Sequence, residues 1–145
     1  MPIRQTTPPI TSESLERKMR QACILKLQYV GESCVRHARN HGSYTDRTGN
    51  LRSSVGYVIV DNGKVVERSE FRPVKDAPEG GKTGLNYARK LASRYPHGVA
   101  LIVVAGMKYA AYVQRKGYDV IASSELIAER LITQLKLKAK ITHVQ

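Results

Sequence analysis

The residues best suited to chemistry in this chain fall into three small groups. Glu79-Gly80-Gly81-Lys82-Thr83-Gly84 ends in Gly-Lys-Thr just before a helical pattern, and glycine amides with a lysine at a helix N-terminus can cradle phosphate. A phosphate loop needs glycine five residues before Gly81, however, and Asp76 stands there, where its charge repels phosphate. His37 and His41 are spaced i, i+4, as zinc ligands on one helix face are. Arg36 and Arg39 beside them oppose a cation, and further ligands would have to come from Cys34 or Asp46. Asp46, Asp61, Asp76 and Asp119 are scattered through turns and loops with no pair set as acid and base. No serine lies in a Gly-x-Ser-x-Gly elbow. These residues specify no catalytic, cofactor-binding or metal-ligating set, and the expectation is a protein that is not an enzyme.

Charge is the strongest compositional signal. Twenty-four Lys and Arg against twelve Asp and Glu give a net charge of +12, an excess that invites polyanions, nucleic acid first. Arg47, Arg52, Lys75, Lys82, Arg115 and Lys116 fall in segments read as loops, and Tyr44, Tyr57, Tyr109 and Tyr112 could stack on single strands. No zinc-finger or aromatic RNA-binding signature accompanies them. A basic nucleic-acid-binding module is therefore the alternative to a surface past which DNA moves without being read. Lys75, Lys82 and Arg115 are the candidate DNA-facing cations.

These residues must be positioned by the elements of one domain, because 145 residues ordinarily build one core. Residues 1–11, with Pro2, Pro8 and Pro9, read as an extended arm, and residues 12–145 as a single domain. Thr11, Ser12 or Ser14 caps a helix to about Asn40. Its inner stripe is Leu15, Met19, Cys23, Leu27, Val30, Cys34 and Ala38. Cys23 and Cys34 lie on that stripe about 16 Å apart, too far for a disulfide, as small reduced core residues. A polar loop with one helical turn follows, then a strand over 55–60. Asp61-Asn62-Gly63 marks a hairpin, and Lys64–Arg72 returns as the second strand. Residues 73–84, rich in glycine and proline, read as a flexible loop, and 85–94 as a short helix. The nearly all-apolar run 99–105 reads as the central strand, covered on both faces. Residues 109–113 suggest a helical turn and 118–121 a fourth strand. Ser123 or Ser124 caps a final helix with Ile127, Leu131 and Leu135 inward, and Lys136, Lys138 and Lys140 complement the dipole at its end. The predicted class is α+β: a long N-terminal helix, a small mixed or antiparallel sheet of about four strands with a central hairpin, and a C-terminal helix. No apolar run reaches the length of a membrane span, and no secretory signal opens the chain, so a soluble, cytosolic protein is expected.

Two segments, in order, carry a resemblance. Tyr44-x-x-Arg47-Thr48-Gly49-Asn50-Leu51-Arg52-x-Ser54-Val55 leads into a strand, and Gly106-Met107-x-Tyr109-Ala110-Ala111-Tyr112-Val113-Gln114-x-x-Gly117 follows later. With a long helix before and a helix after, the chain resembles the HK97-type tail-component proteins of siphophages, also described as head–tail joining or tail-completion proteins. The similarity covers about residues 44–121. It implies a structural virion protein at the head–tail junction, in the neck or tail, and in the host cytoplasm during assembly. That protein would work as a homo-oligomeric ring docked on connector, portal and tail proteins, with at most non-specific contact to genomic DNA and no cofactor. Arg47, Thr48, Gly49, Leu51, Arg52, Tyr109, Tyr112, Gln114 and Lys116 are the assembly-interface residues the resemblance suggests. Physically, Gly49 suits a turn with positive φ, Leu51 can plug the core, and Arg52 is left for a neighbouring subunit. Gln114 stands where the family commonly has Glu, so a salt bridge made there would be lost or replaced.

Overall fold

A helix of thirty residues, α1 (Ser12–His41), opens the described part of the chain. The computed structural model describes residues 11–41, 49–71, 78–106, 110 and 121–137. Thr11 caps α1, its Oγ1 accepting a hydrogen bond from the amide of Ser14 at 3.0 Å. The expected stripe is buried only in its C-terminal part. Leu27, Val30, Cys34 and Ala38 are inside, whereas Leu15 and Met19 are 52% and 65% exposed. The reason is that α4 (Ala122–Gln134) and the sheet together cover the middle and end of α1 and leave its first turns uncovered. Val30, Cys34 and Leu131 form the core of that helix–helix contact, with Ile127 and Leu135 against it.

After a single turn, α2 (Asn50–Ser53), the chain enters β1 (Val55–Asp61) and returns as β2 (Lys64–Arg68). Asn62 and Gly63 take φ of 49° and 84°, the pair of positive angles that a two-residue turn matched to strand twist requires. Asn62 also reaches across the sheet. Its Oδ1 accepts from the amide of Gly98 at 2.7 Å, and its own amide donates to the Gly98 carbonyl at 2.9 Å.

The described sheet has three strands in the order β2-β1-β3, both pairings antiparallel, with β3 spanning Val99–Ala105. The central strand is therefore β1. The run 99–105, expected at the centre, lies at an edge of the described sheet. Both strands are apolar enough for the middle, and β1 takes it because the tight hairpin and the return of β3 each use one of its edges. Val58 and Val60 pack with Ile102 and Val104 against α3 (Pro78–Ala92). Val55, Tyr57 and Ile59 pack on the opposite face against Leu27, Val35 and Ala38 of α1. The molecule is thus three layers, α1 with α4, then the sheet, then α3.

Three further expectations are corrected. The second strand ends at Arg68 rather than Arg72. Ser69 extends the ladder by one residue, donating its amide to Tyr57 O and accepting the Tyr57 amide on Oγ, both at 2.9 Å. Residues 78–84 are not a flexible loop but the first two turns of α3. Pro78 is tolerated there because the first helical turn needs no donor. The glycines serve close approach: a Cβ on Gly84 would strike the Ser54 carbonyl and the Phe71 ring, and one on Gly81 would meet the Phe71 carbonyl. Phe71, the chain's one phenylalanine, is buried there with a φ of 48°, an unusual angle for a bulky side chain.

The last correction concerns α4. Its N-cap position is Ile121, with no side-chain cap, and its last turn carries no basic residue. A cation from α1 reaches its C-terminal end, where Lys26 Nζ donates to the Leu135 carbonyl at 3.3 Å. The expected fourth strand, 118–121, lies outside the described residues except for Ile121, as do Lys138 and Lys140.

Candidate assembly surface

The corner before β1 is built from the residues of the first motif. Gly49 has a φ of 81°, which lets the chain turn directly into α2. Ser53 Oγ donates to the Gly49 carbonyl and Ser54 Oγ to the Leu51 carbonyl, each at 2.6 Å, and both serines are wholly buried. These carbonyls also accept the amides of Ser53 and Ser54, so the bonds give the two buried hydroxyls their partners. Leu51, 2% exposed, packs with Ala110 against Ala105 and Ile121.

The second motif begins where the first ends. The Gly106 amide donates to the Ser54 carbonyl at 3.2 Å, and a Cβ on Gly106 would collide with Gly84 of α3. The start of β1, the end of β3 and the N-terminal turns of α3 thus converge on the corner at Ser54. Segments read separately along the chain are brought together here, by Ser54–Gly106 and Leu51–Ala110.

The candidate residues divide by position. Gly49 and Leu51 are interior, and Arg52 is half-buried with its Nε shielded from solvent and contacts inside the fold, rather than left wholly for a neighbour. Lys82 is exposed, and it stands on α3 rather than in a loop. Arg47, Thr48, Lys75, Tyr109, Tyr112, Gln114, Arg115 and Lys116 lie outside the described residues.

Other groups considered for chemistry have structural partners. His37 Nε2 lies 2.7 Å from Ser123 Oγ at the start of α4. The buried Cys34 thiol donates to the Ser124 carbonyl at 3.5 Å, and burial pushes its pKa up to about 11, which keeps it protonated and unreactive. No group of three metal-ligating residues occurs among the described residues. Glycines 80, 81 and 84 are wound into a helix, so they do not form the loop that holds a nucleotide's phosphates.

Composition had not singled out the exposed side of α1. Leu15, Met19, Leu25 and Tyr29 are each more than half exposed, and with Ala22 they advance by steps of three and four along one stripe. Lys18, Lys26 and Arg36 lie beside it. Near its start Leu15 and Met19 line an open groove with Val99. This stripe is legible only once the buried face of α1 is known. The helix is apolar on two sides, and periodicity alone assigned Leu15 and Met19 to the inner one.

No protein-family model, curated protein or solved structure matches this chain. Among the described residues no helix is long and apolar enough to cross a membrane.

Proposed function

We propose that this chain is a structural, non-enzymatic assembly protein of the HK97-type tail-component kind, acting in the neck or at tail completion of a phage particle. It forms a ring of identical copies that docks on the neighbouring connector, portal and tail proteins. The observation that carries this reading is the meeting of the two motifs at Ser54–Gly106 and Leu51–Ala110. A resemblance resting on an ordered pair of segments is strengthened when the two build one corner. The apolar stripe of α1 supports it further, since an exposed apolar surface of this kind suits contact with another protein.

Native mass spectrometry and sedimentation of the full chain, alone and mixed with its connector and tail-tube proteins, test the reading. Discrete closed oligomers, alone or on those partners, are expected. A chain that stays monomeric in every mixture contradicts it. The second reading, a nucleic-acid-binding module, is favoured by the net charge of +12. Binding to DNA with a strong base preference would displace the structural reading in its favour.

A further inference from the structure

We infer that the outward face of α3 is a contact surface for the phosphate backbone of double-stranded DNA. The inference rests on the joining-protein reading for the source of the DNA, and on α3 alone for the surface. The inner side of α3 is fully used: Ala88, Leu91 and Ala92 are in the core, with Leu85 and Tyr87 packed against it. Its outward positions are Lys82, Asn86, Arg89 and Lys90, followed by Ser93 and Arg94 in the turn after it, and all are exposed. None of the four cations is paired with a carboxylate among the described residues. After Glu79 the α3 sequence holds no acid. Arg68 stands opposite Val58 in the ladder, and Val58 packs toward α3, so this cation is on the same side of the sheet.

The opposite layer is different. There the cations of α1 are interspersed with Glu16 and Glu32. The sheet adds Asp61, and Arg20 is taken up by Glu16 and Asp61 at 3.4 and 3.2 Å. The α1 layer thus mixes acids among its cations, whereas the α3 sequence after Glu79 carries cations alone.

Geometry selects the partner. From Lys82 to Lys90 the helix rises about 12 Å, the rise along the duplex axis of three to four phosphates of one strand at about 3.4 Å each. Asn86 between the cations adds a neutral donor of the kind that binds phosphate oxygens. Tyr87 and Tyr95, the aromatics on and just after this helix, are packed against the core, so the face has no platform for unstacked bases and does not favour single strands. Gly84 draws α3 down onto Ser54 and Phe71. A helix sunk into its layer runs along a backbone rather than entering the major groove to read bases.

The test measures full-chain binding to a mixed-sequence duplex over a salt series. Lys82→Ala, Arg89→Ala, Lys90→Ala and Arg94→Ala together should flatten the slope of log K against log salt by about three to four, at about 0.9 per lost phosphate contact. A control set of three on α1, Arg17→Ala, Lys18→Ala and Arg36→Ala, should leave the slope unchanged. Exchange of Lys for Arg at 82 and 90 should retain it, and thermal melting should confirm that each variant is folded. Absence of duplex binding at 50 mM salt, an equal effect of the α1 set, preference for single strands, or base preference above tenfold would each overturn the inference. Oligomer mass is recorded on the same samples. Intact rings without α3-dependent binding remove the surface alone, while α3-dependent binding by a chain that never assembles removes only the joining role.

Discussion

At the scale of single residues, the pKa values of the buried Tyr57 phenol and Cys34 thiol are both shifted upward. Tyr57 is 2% exposed, and its hydroxyl donates to Glu32 Oε1 at 2.9 Å. Burial first, and the Glu32 carboxylate second, raise its pKa above the ordinary phenol range, while burial alone raises that of Cys34 to about 11. The unfolded chain releases these protons at their ordinary values, about 8.5 for the thiol and 10 for the phenol. Their contribution to stability is thus complete below about pH 8.5 and is lost as pH rises beyond it. Melting temperatures should fall between pH 9 and 11, and Tyr57→Phe with Cys34→Ala should flatten that decline; an undiminished decline in the double variant contradicts the assignment. Gly84 sets two effects against each other. Gly84→Ala gains about 1 kcal/mol of helix propensity, but the added carbon meets the Ser54 carbonyl, a backbone atom with little freedom. Overpacking of about 1–3 kcal/mol should win, so urea denaturation should show a net loss for Gly84→Ala, while Asn86→Ala on the exposed side should be neutral or slightly stabilising.

At the scale of elements, the Asn62–Gly63 turn joins two ladders. Asn62→Ala removes the bond to Gly98 and puts a side chain without local hydrogen bonding at a φ of 49°, a strain of about 1–2 kcal/mol. Asn62→Gly removes the bond without the strain. The alanine variant should unfold at lower urea than the glycine variant, and the reverse order would contradict a conformational role for Asn62. This turn shows which elements are legible in a sequence: α1, β1 and the hairpin each rest on local pattern or local backbone preference. The start of α3 does not. Glycines 80, 81 and 84 suggest a loop until Phe71 and Ser54 are placed against the last two of them. The centre of the sheet is equally non-local, since β1 and β3 are both apolar and only the pairing order separates them. The site divides in the same way: its two motifs can be read as segments, but their meeting at Ser54 and Gly106 is a property of the fold. Likewise Lys26, far away in sequence, meets the end of α4, because a helix end takes charge from an element that lies beside it.

At the scale of the whole molecule, two surfaces have separate properties. The α1 stripe lies outside the core, so Met19→Glu with Leu25→Glu should leave the melting temperature within a few degrees of the parent. The same pair should abolish oligomers in native mass spectrometry, whereas unchanged oligomers would move the subunit contact away from α1. The α3 face should be indifferent to that pair. The packing of α1 against α4 also has a consequence for synthesis. Cys34 and the Ser124 carbonyl that it meets are 90 residues apart, and Lys26 and Leu135 are 109 apart. At a translation rate of about 5–20 residues per second, the apolar side of α1 built from Val30 and Cys34 waits roughly 5–18 s for its covering helix to be made. During that interval the nascent chain displays apolar surface on two sides of α1, one of which closes when α4 arrives while the other stays open in the finished subunit.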